Sequence, residues 1–134
     1  MKLVINKCYG GFGLSHEAVL EYAKIKGIEI FAFIETSSNF RNPEYTEYTG
    51  QEGVFMIHYY TKPLKDGKRQ DDSYFYDGNI KRDDPALVQV VENLGDKANK
   101  DYAQLEIVDI PDDVEWTIEE HDGNEWVAES HRTW

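Results

Sequence analysis

The sequence predicts a mixed α/β (α+β) fold in a single domain covering residues 1–134. Apolar strand patterns alternate with a helical pattern in the first part of the chain, and a β-hairpin pattern closes it. A chain of 134 residues without a break in composition is long enough for one core. We therefore expect a βαβ unit, then antiparallel strands, one further helix and a C-terminal hairpin, in a single sheet packed by two helices.

The βαβ prediction rests on three consecutive segments. Residues 2–8 are apolar on both faces. Ser15 is a good N-cap for a helix over residues 16–26, and Gly27 is a helix stop signal. Residues 28–34 are again apolar on both faces, which is typical of a central strand. A strand, a helix and a strand in this order predict parallel pairing with a right-handed crossover.

The middle of the chain predicts a loop, two strands and a helix. Residues 36–53 are rich in turn formers and indicate a surface loop. Residues 54–61 and 73–76 predict an antiparallel pair, and residues 105–110 a later strand. Between them, Asp84 and Pro85 open a helix with an apolar stripe at helical spacing, formed by Leu87, Val90, Val91 and Leu94.

Residues 114–120 and 125–133 predict a hairpin with two possible turns. A two-residue turn at Asp122-Gly123 sets Trp116 opposite Glu129. A three-residue loop over 122–124 instead collects apolar side chains on one face, and we favour it because register follows the buried face. Its apolar face contains Val114, Trp116, Ile118, Trp126 and Ala128. Arg132 then points inward and needs a carboxylate or a ligand anion as partner.

Charge and composition limit the function classes. The net charge of −12 disfavours general binding to DNA, RNA or acidic lipid. It fits simple solubility, and it also fits a surface that imitates a nucleic acid in a basic groove of another protein. No apolar run approaches 18 residues, so no membrane span is expected. The single cysteine and the absence of a secretion pattern favour the cytoplasm.

The glycine loop (residues 6–15) is the feature most suggestive of a site. Gly10, Gly11 and Gly13 lie between an apolar strand and a helix N-terminus, a place where backbone amides can face an anion. The loop lacks the Lys of a P-loop, the third glycine of a dinucleotide fingerprint and the Arg of a cysteine phosphatase. A ligand cradle and a tight turn without a ligand both remain open.

Aromatic and basic residues around this loop fit a nucleotide-like anion. Flat rings supply stacking, and amides and guanidinium groups supply hydrogen bonds. Tyr9 or Phe12 would stack, and Arg132, with Arg41 or Lys7, would supply positive charge. The predicted binding residues are Lys7, Tyr9, Gly10, Gly11, Phe12, Gly13, Ser15, Arg41, Arg132 and Trp134.

Other chemistry is less favoured. Cys8 is interpreted as a buried structural cysteine, because no His is tied to it by sequence. The histidines have no metal-ligand spacing, and the carboxylates Glu119, Glu120 and Glu129 fit a solvated strand face. We predict no catalytic residue, no metal and no cofactor, and we do not favour an enzyme.

Both ends of the chain carry a family resemblance. The segments INKCYGGFGLS (residues 5–15) and EWVAESHRTW (residues 125–134) resemble a widespread family of small phage and prophage proteins. The resemblance implies a phage-encoded accessory protein that acts in the bacterial cytoplasm and counters host defence. It would do so by sequestering a nucleotide signal or by blocking a defence protein. No functional residue is carried over from the family.

Our leading hypothesis is a binding protein for a small anionic, nucleotide-like ligand. The alternative is an acidic inhibitor of a host defence or DNA-binding protein. Neither hypothesis involves direct nucleic-acid binding or a membrane, and the first is compatible with a homo-oligomer that shares the ligand between subunits. The ligand hypothesis requires the C-terminal segment to lie beside the glycine loop.

Overall fold

The fold was derived from a computed structural model that describes residues 1–36, 44–51, 54, 56–64 and 71–129. Within these ranges the chain forms helices, strands and short 3-10 turns. The helices and strands are β1 (Lys2–Asn6), α1 (His16–Lys26), β2 (Phe31–Glu35), β3 (Tyr45–Glu47), β4 (His58–Tyr60), β5 (Tyr74–Phe75), α2 (Pro85–Leu94), β6 (Leu105–Asp109), β7 (Trp116–His121) and β8 (Asn124–Glu129). The predicted α+β class is confirmed.

The chain divides into two compact units. The first unit comprises Met1–Ile25 and Asp77–Trp134, and the second comprises Lys26–Tyr76. The second unit is thus inserted between two parts of the first, and single-domain organisation stays a prediction.

β1 is the most deeply buried strand described in the first unit. It pairs antiparallel with β6, from Lys2 opposite Asp109 to Asn6 opposite Leu105. The interior of β1 is almost completely buried, as are two residues of the α2 stripe: Leu3, Val4, Ile5, Leu87 and Val90 are each at most 1% exposed. The predicted stripe of the second helix is confirmed as core at Leu87, Val90 and Val91, whereas Leu94 at the end of the helix is only partly buried.

The predicted βαβ unit and the single sheet are wrong. β2 pairs antiparallel with β3 and β4 in a four-stranded sheet of order β3-β2-β4-β5, whereas β1 and β6 form their own two-stranded sheet. An apolar pattern on both faces shows that a strand is covered on both sides, but it does not identify the neighbouring strand. β6 is distant in sequence and offers β1 an antiparallel apolar partner, with Ile107 opposite Val4 and Val108 opposite Leu3.

The sheet of the second unit is held together by aromatic side chains. Tyr60 is 1% exposed and lies edge-on to Phe33, Tyr45 and Tyr74, with ring centroids 5.9, 6.4 and 5.3 Å away. The antiparallel pair predicted from residues 54–61 and 73–76 is confirmed in shorter form as β4 and β5. β3 lies within residues 36–53, so the prediction of a loop there is wrong for those three residues.

The hairpin of β7 and β8 has a two-residue turn, so the favoured three-residue loop is wrong. Trp116 lies opposite Glu129, and Trp126 lies opposite Glu119. Asp122 and Gly123 both have positive φ, at 49° and 91°, as a type I′ turn requires. The turn chemistry therefore outweighed the collection of apolar side chains on one face, and it leaves Trp126 41% exposed.

Both helices begin at the predicted caps. The Ser15 Oγ accepts a hydrogen bond from the Ala18 amide at 3.1 Å, and the Asp84 carboxylate accepts one from the Ala86 amide at 2.9 Å. Among the described residues, neither helix has the length and apolar character needed to cross a bilayer.

Candidate functional site

The glycine loop runs antiparallel to a facing segment formed by residues 99–104. The Lys7 amide donates to the Gln104 carbonyl at 2.7 Å, and the Lys100 amide donates to the Gly13 carbonyl at 3.2 Å. Leu14 forms an isolated β-bridge with Asn99. The loop therefore continues the β1–β6 pairing in an irregular form as far as the start of α1.

The glycines of the loop allow this close approach. A Cβ placed on Gly10 would lie 2.0 Å from the Tyr102 carbonyl oxygen, which is far inside van der Waals contact. On the hairpin side, a Cβ on Gly123 would lie 2.6 Å from the Gly11 amide nitrogen. Close backbone packing thus explains Gly10 in the loop and Gly123 in the hairpin turn without a ligand.

Asn6 fastens the loop to both of its neighbours. It is fully buried, and its Nδ2 donates to the carbonyls of Cys8 and Gly123 at 2.7 and 2.8 Å. Its Oδ1 accepts from the amides of Gln104 and Cys8 at 2.8 and 3.3 Å. Every hydrogen-bonding position of this side chain is used, so Asn6 joins the loop, the facing segment and the hairpin turn.

A buried ion pair closes the other edge of β1. Glu125 is 7% exposed, and its carboxylate accepts two hydrogen bonds from Arg82, at 2.5 and 2.8 Å. The same carboxylate accepts from the backbone amide of Asn6 at 2.7 Å, and the backbone carbonyl of Arg82 accepts from the backbone amide of Val4 at 2.9 Å. The guanidinium of Arg82 also lies over the ring of Phe12, 3.8 Å from its centroid.

The outer side of the loop presents aromatic and basic side chains. Tyr9 is 69% exposed and Tyr102 is 82% exposed, and Tyr102 lies against Gly10 through its backbone and Cβ. Lys7 and Lys100 are also exposed, and neither forms an ion pair with another described residue. Within the described part of the chain, no hydrogen-bond partner meets the amides of Gly10, Phe12 and Gly13. We call Lys7, Tyr9, Gly10, Lys100 and Tyr102 the loop surface.

The start of α1 adds little positive charge to the loop. Burial lowers the pKa of His16, and the nearby Glu17 opposes this shift more weakly. The imidazole is therefore neutral near pH 7. Ser15 is occupied by the fold, because its Oγ donates to the Lys97 carbonyl at 2.6 Å as well as capping α1.

The predicted binding residues fall into three groups. Lys7, Tyr9 and Gly10 lie on the loop surface. Phe12 and Ser15 lie in the same loop but are engaged by Arg82 and by α1, and Gly11 and Gly13 pack against the hairpin turn and Lys100. The remaining three lie outside the described residues: Arg41, Arg132 and Trp134.

Sequence reasoning missed four residues of this region: Asn6, Arg82, Tyr102 and Glu125. Arg82 was not expected to pair inside the fold, yet only 18% of its side chain is exposed; the expectation of an inward Arg132 concerns a residue outside the described ranges and stays a prediction. A signal for Glu125 existed, because the two-residue turn places it on the same face as Ile118 and Val127. Asn6, Arg82 and Tyr102 had no local sequence pattern that marked them.

A cavity lies elsewhere in the first unit. It has a volume of about 520 Å³ and is bounded by the first two residues, Asp83 and α2. None of the predicted binding residues lines it. Among the described residues, no group of three or more His, Cys, Asp or Glu side chains is placed to hold a metal ion.

Comparison with protein-family models, curated proteins and solved structures finds no match for this chain.

Proposed function

We propose that this protein is a non-enzymatic binding protein that holds a small anionic, nucleotide-like ligand on the loop surface. Tyr9 carries this proposal. An aromatic side chain normally contributes buried apolar area, yet Tyr9 is 69% exposed beside the Gly10 amide. An exposed ring next to an amide without a partner offers stacking and a hydrogen bond, the two interactions that a base and its phosphate require.

The inner side of the loop is used by the fold, and this supports binding roles for the residues on its outer side. The ring of Phe12 is covered by Arg82, and the charge of Arg82 is neutralised by Glu125. Stacking therefore belongs to Tyr9 rather than to Phe12. Positive charge comes from Lys7 and Lys100, which have no carboxylate partner among the described residues.

The acidic total does not exclude an anionic ligand. Ionic strength near that of the cell screens exposed charges over about 8 Å. Charges that lie farther than this from the loop contribute little to the potential there. Two acidic residues do lie at the loop: the Asp77 carboxylate accepts from the Leu14 amide at 2.9 Å, and Asp101 is exposed between Lys100 and Tyr102. The affinity therefore depends on lysines within contact distance of the ligand outweighing these carboxylates.

A thermal-shift screen of cyclic and linear nucleotides at millimolar concentration tests the proposal. A ligand at 100 times its Kd stabilises a protein by about 2.7 kcal/mol, which a shift in Tm detects. Tyr9→Ala should weaken binding roughly tenfold, because one stacking contact is worth about 1–3 kcal/mol. The matched control is Tyr76→Ala, which removes a tyrosine that is 55% exposed in the second unit.

Two outcomes would contradict the proposal. One is that no nucleotide stabilises the protein at millimolar concentration. The other is that Tyr9→Ala and Tyr76→Ala change the affinity equally, which would place the binding site away from the loop surface. The phage accessory role and the sequestration of a host nucleotide signal belong to the same proposal and depend on the terminal motifs alone.

The hairpin favours a second candidate, an acidic inhibitor that covers a basic surface of a host defence or DNA-binding protein. It exposes Glu115 just before β7, Glu119 on one face of the hairpin and Glu129 on the other, and none of them forms an ion pair with a described residue. Unpaired carboxylates on a rigid hairpin can complement a basic partner and speed association at low salt.

A charge-matched pair of variants separates this candidate from the first. Replacing Glu115, Glu119 and Glu129 with Gln should abolish salt-sensitive binding to a DNA-binding host protein. Removing three exposed carboxylates elsewhere should preserve it, with the control substitutions Glu29→Gln, Asp96→Asn and Glu106→Gln. Equal loss in both triple variants would show an effect of total charge and would exclude a hairpin interface.

A further inference from the structure

Tyr102 occupies a backbone conformation that its residue type disfavours. Its φ is 66°, and the only other non-glycine residue with positive φ in the described ranges is Asp122. Asp122 belongs to a hairpin turn that requires this conformation, and Asp tolerates it better than most residues. The Cβ of every non-glycine residue crowds the backbone in this conformation, and tyrosine lacks the short polar side chain by which Asp and Asn compensate with local hydrogen bonds.

The turn around Tyr102 would accept a smaller residue. The Ala103 amide donates to the Lys100 carbonyl at 2.9 Å, so residues 100–103 form a β-turn with Tyr102 at its third position. A positive φ at that position favours Gly or Asn, as in a type II turn. The sequence has Tyr there instead.

The fold makes little use of the Tyr102 side chain. The carbonyl oxygen and Cβ of Tyr102 lie against Gly10, but the side chain as a whole leaves the residue 82% exposed. Its hydroxyl has no hydrogen-bond partner among the described residues. Packing and hydrogen bonding therefore do not explain why an aromatic residue is kept in this strained position.

We propose that Tyr102, whose backbone and Cβ lie against Gly10, the residue after Tyr9, is a second stacking residue for the ligand of the loop surface. This inference rests on the proposed function and narrows it. Two exposed rings, two exposed lysines and an amide without a described partner in the same region fit a planar heterocycle that carries a phosphate, such as a nucleoside monophosphate. An anion without a ring would gain nothing from Tyr102.

The test compares Tyr102→Asn and Tyr102→Phe with the unaltered chain. Asn fits the positive φ and removes the ring, so the ligand-free Tm should be unchanged or raised by up to about 4 °C. The affinity for the nucleotide that binds best should fall roughly tenfold. Tyr102→Phe keeps the ring and should bind within about twofold of the unaltered chain.

Four results would overturn the inference. If the unaltered chain binds a nucleotide and Tyr102→Asn binds it equally well, Tyr102 has no binding role, while the proposed function stands. If the ligand-free Tyr102→Asn variant loses more than about 4 °C in Tm, or fails to fold, Tyr102 is a structural residue. If the unaltered chain binds inorganic phosphate as well as any nucleotide, the heterocycle is irrelevant. If it binds no nucleotide at all, both the function and this inference fail.

Discussion

The ion pair between Arg82 and Glu125 allows a quantitative prediction about stability. Both side chains are largely buried, with 18% and 9% of their surfaces exposed. Glu125→Gln keeps an oxygen that can accept the hydrogen bond from the Asn6 backbone amide, but it leaves the Arg82 guanidinium without a carboxylate partner. Removing one partner of a buried pair costs about 3–5 kcal/mol. Because water reaches part of Arg82, we expect the lower end of that range, about 3 kcal/mol.

The double-mutant cycle isolates the pair from its surroundings. Arg82→Met leaves the Glu125 carboxylate unpaired and removes the cation over Phe12, so it should also cost about 3 kcal/mol. The double variant removes both charges and should cost about 4 kcal/mol, less than the sum of the single changes. The expected coupling energy is therefore about 2 kcal/mol.

Urea unfolding followed by tryptophan fluorescence measures these energies. Trp116 and Trp126 lie on the two strands of the hairpin that carries Glu125, so the signal reports on the first unit. The control cycle uses the exposed pair Lys2–Glu92, with 49% and 48% of the side chains exposed, and should give less than about 0.5 kcal/mol. A coupling energy for Arg82 and Glu125 no larger than that of the control would refute the reasoning.

Three further predictions concern packing and pH. Gly10→Ala should destabilise the first unit by more than about 2 kcal/mol, because the added Cβ would overlap the facing backbone. The Cβ added in Gly27→Ala meets no atom within 4 Å, so this control should cost only about 1 kcal/mol for the positive φ of residue 27. Burial first, and then the hydrogen bond to the Asp84 carboxylate, raises the pKa of Tyr22 to about 12. The neutral hydroxyl therefore adds stability that is complete below pH 10 and lost as the pH rises through 12, and Tyr22→Phe should remove this dependence at a cost of about 1 kcal/mol. The carboxylate of Asp112 raises the pKa of the Met1 amino group, and the amino group lowers the pKa of Asp112. Their ion pair should therefore stabilise the protein between about pH 4 and pH 8 and weaken outside this window.

Chemical and thermal unfolding as a function of pH check these three predictions. Equal losses for Gly10→Ala and Gly27→Ala would contradict the close approach at Gly10. A fall in stability between pH 10 and 12 that persists in Tyr22→Phe would show that another group is responsible. Acetylation of the Met1 amino group should remove the loss of stability above pH 8, and an unchanged pH profile would exclude the ion pair as its cause.

The local elements were largely predictable because local rules govern them. Ser15 and Asp84 cap the helices that follow them, and Leu87, Val90 and Val91 of the α2 stripe are buried because their spacing matches the helical repeat. The Asp122-Gly123 dipeptide also predicts the observed two-residue turn, since it is a strong type I′ signal. Favouring the apolar face instead gives the wrong register, in which the inward position of Glu125 is not recognised.

The candidate site was predictable only in part. The glycine loop is continuous in sequence, so its position after β1 and its exposed Tyr9 could be inferred from the residues. The partners that use its inner side could not, because Arg82 and Glu125 lie 70 or more positions away from Phe12 along the chain. Nothing in a local pattern distinguishes an arginine that will be buried from one that will be solvated.

Composition, turn chemistry and periodicity therefore determined the α+β class, the helix ends and the existence of the hairpin, since each of these depends on residues within a few positions of one another. The partner of β1, the separation into two units, the ion pair and the backbone contacts of Gly10 were decided only by the tertiary structure. These features depend on the free energy of contacts between distant segments, and many alternative pairings satisfy the same local pattern.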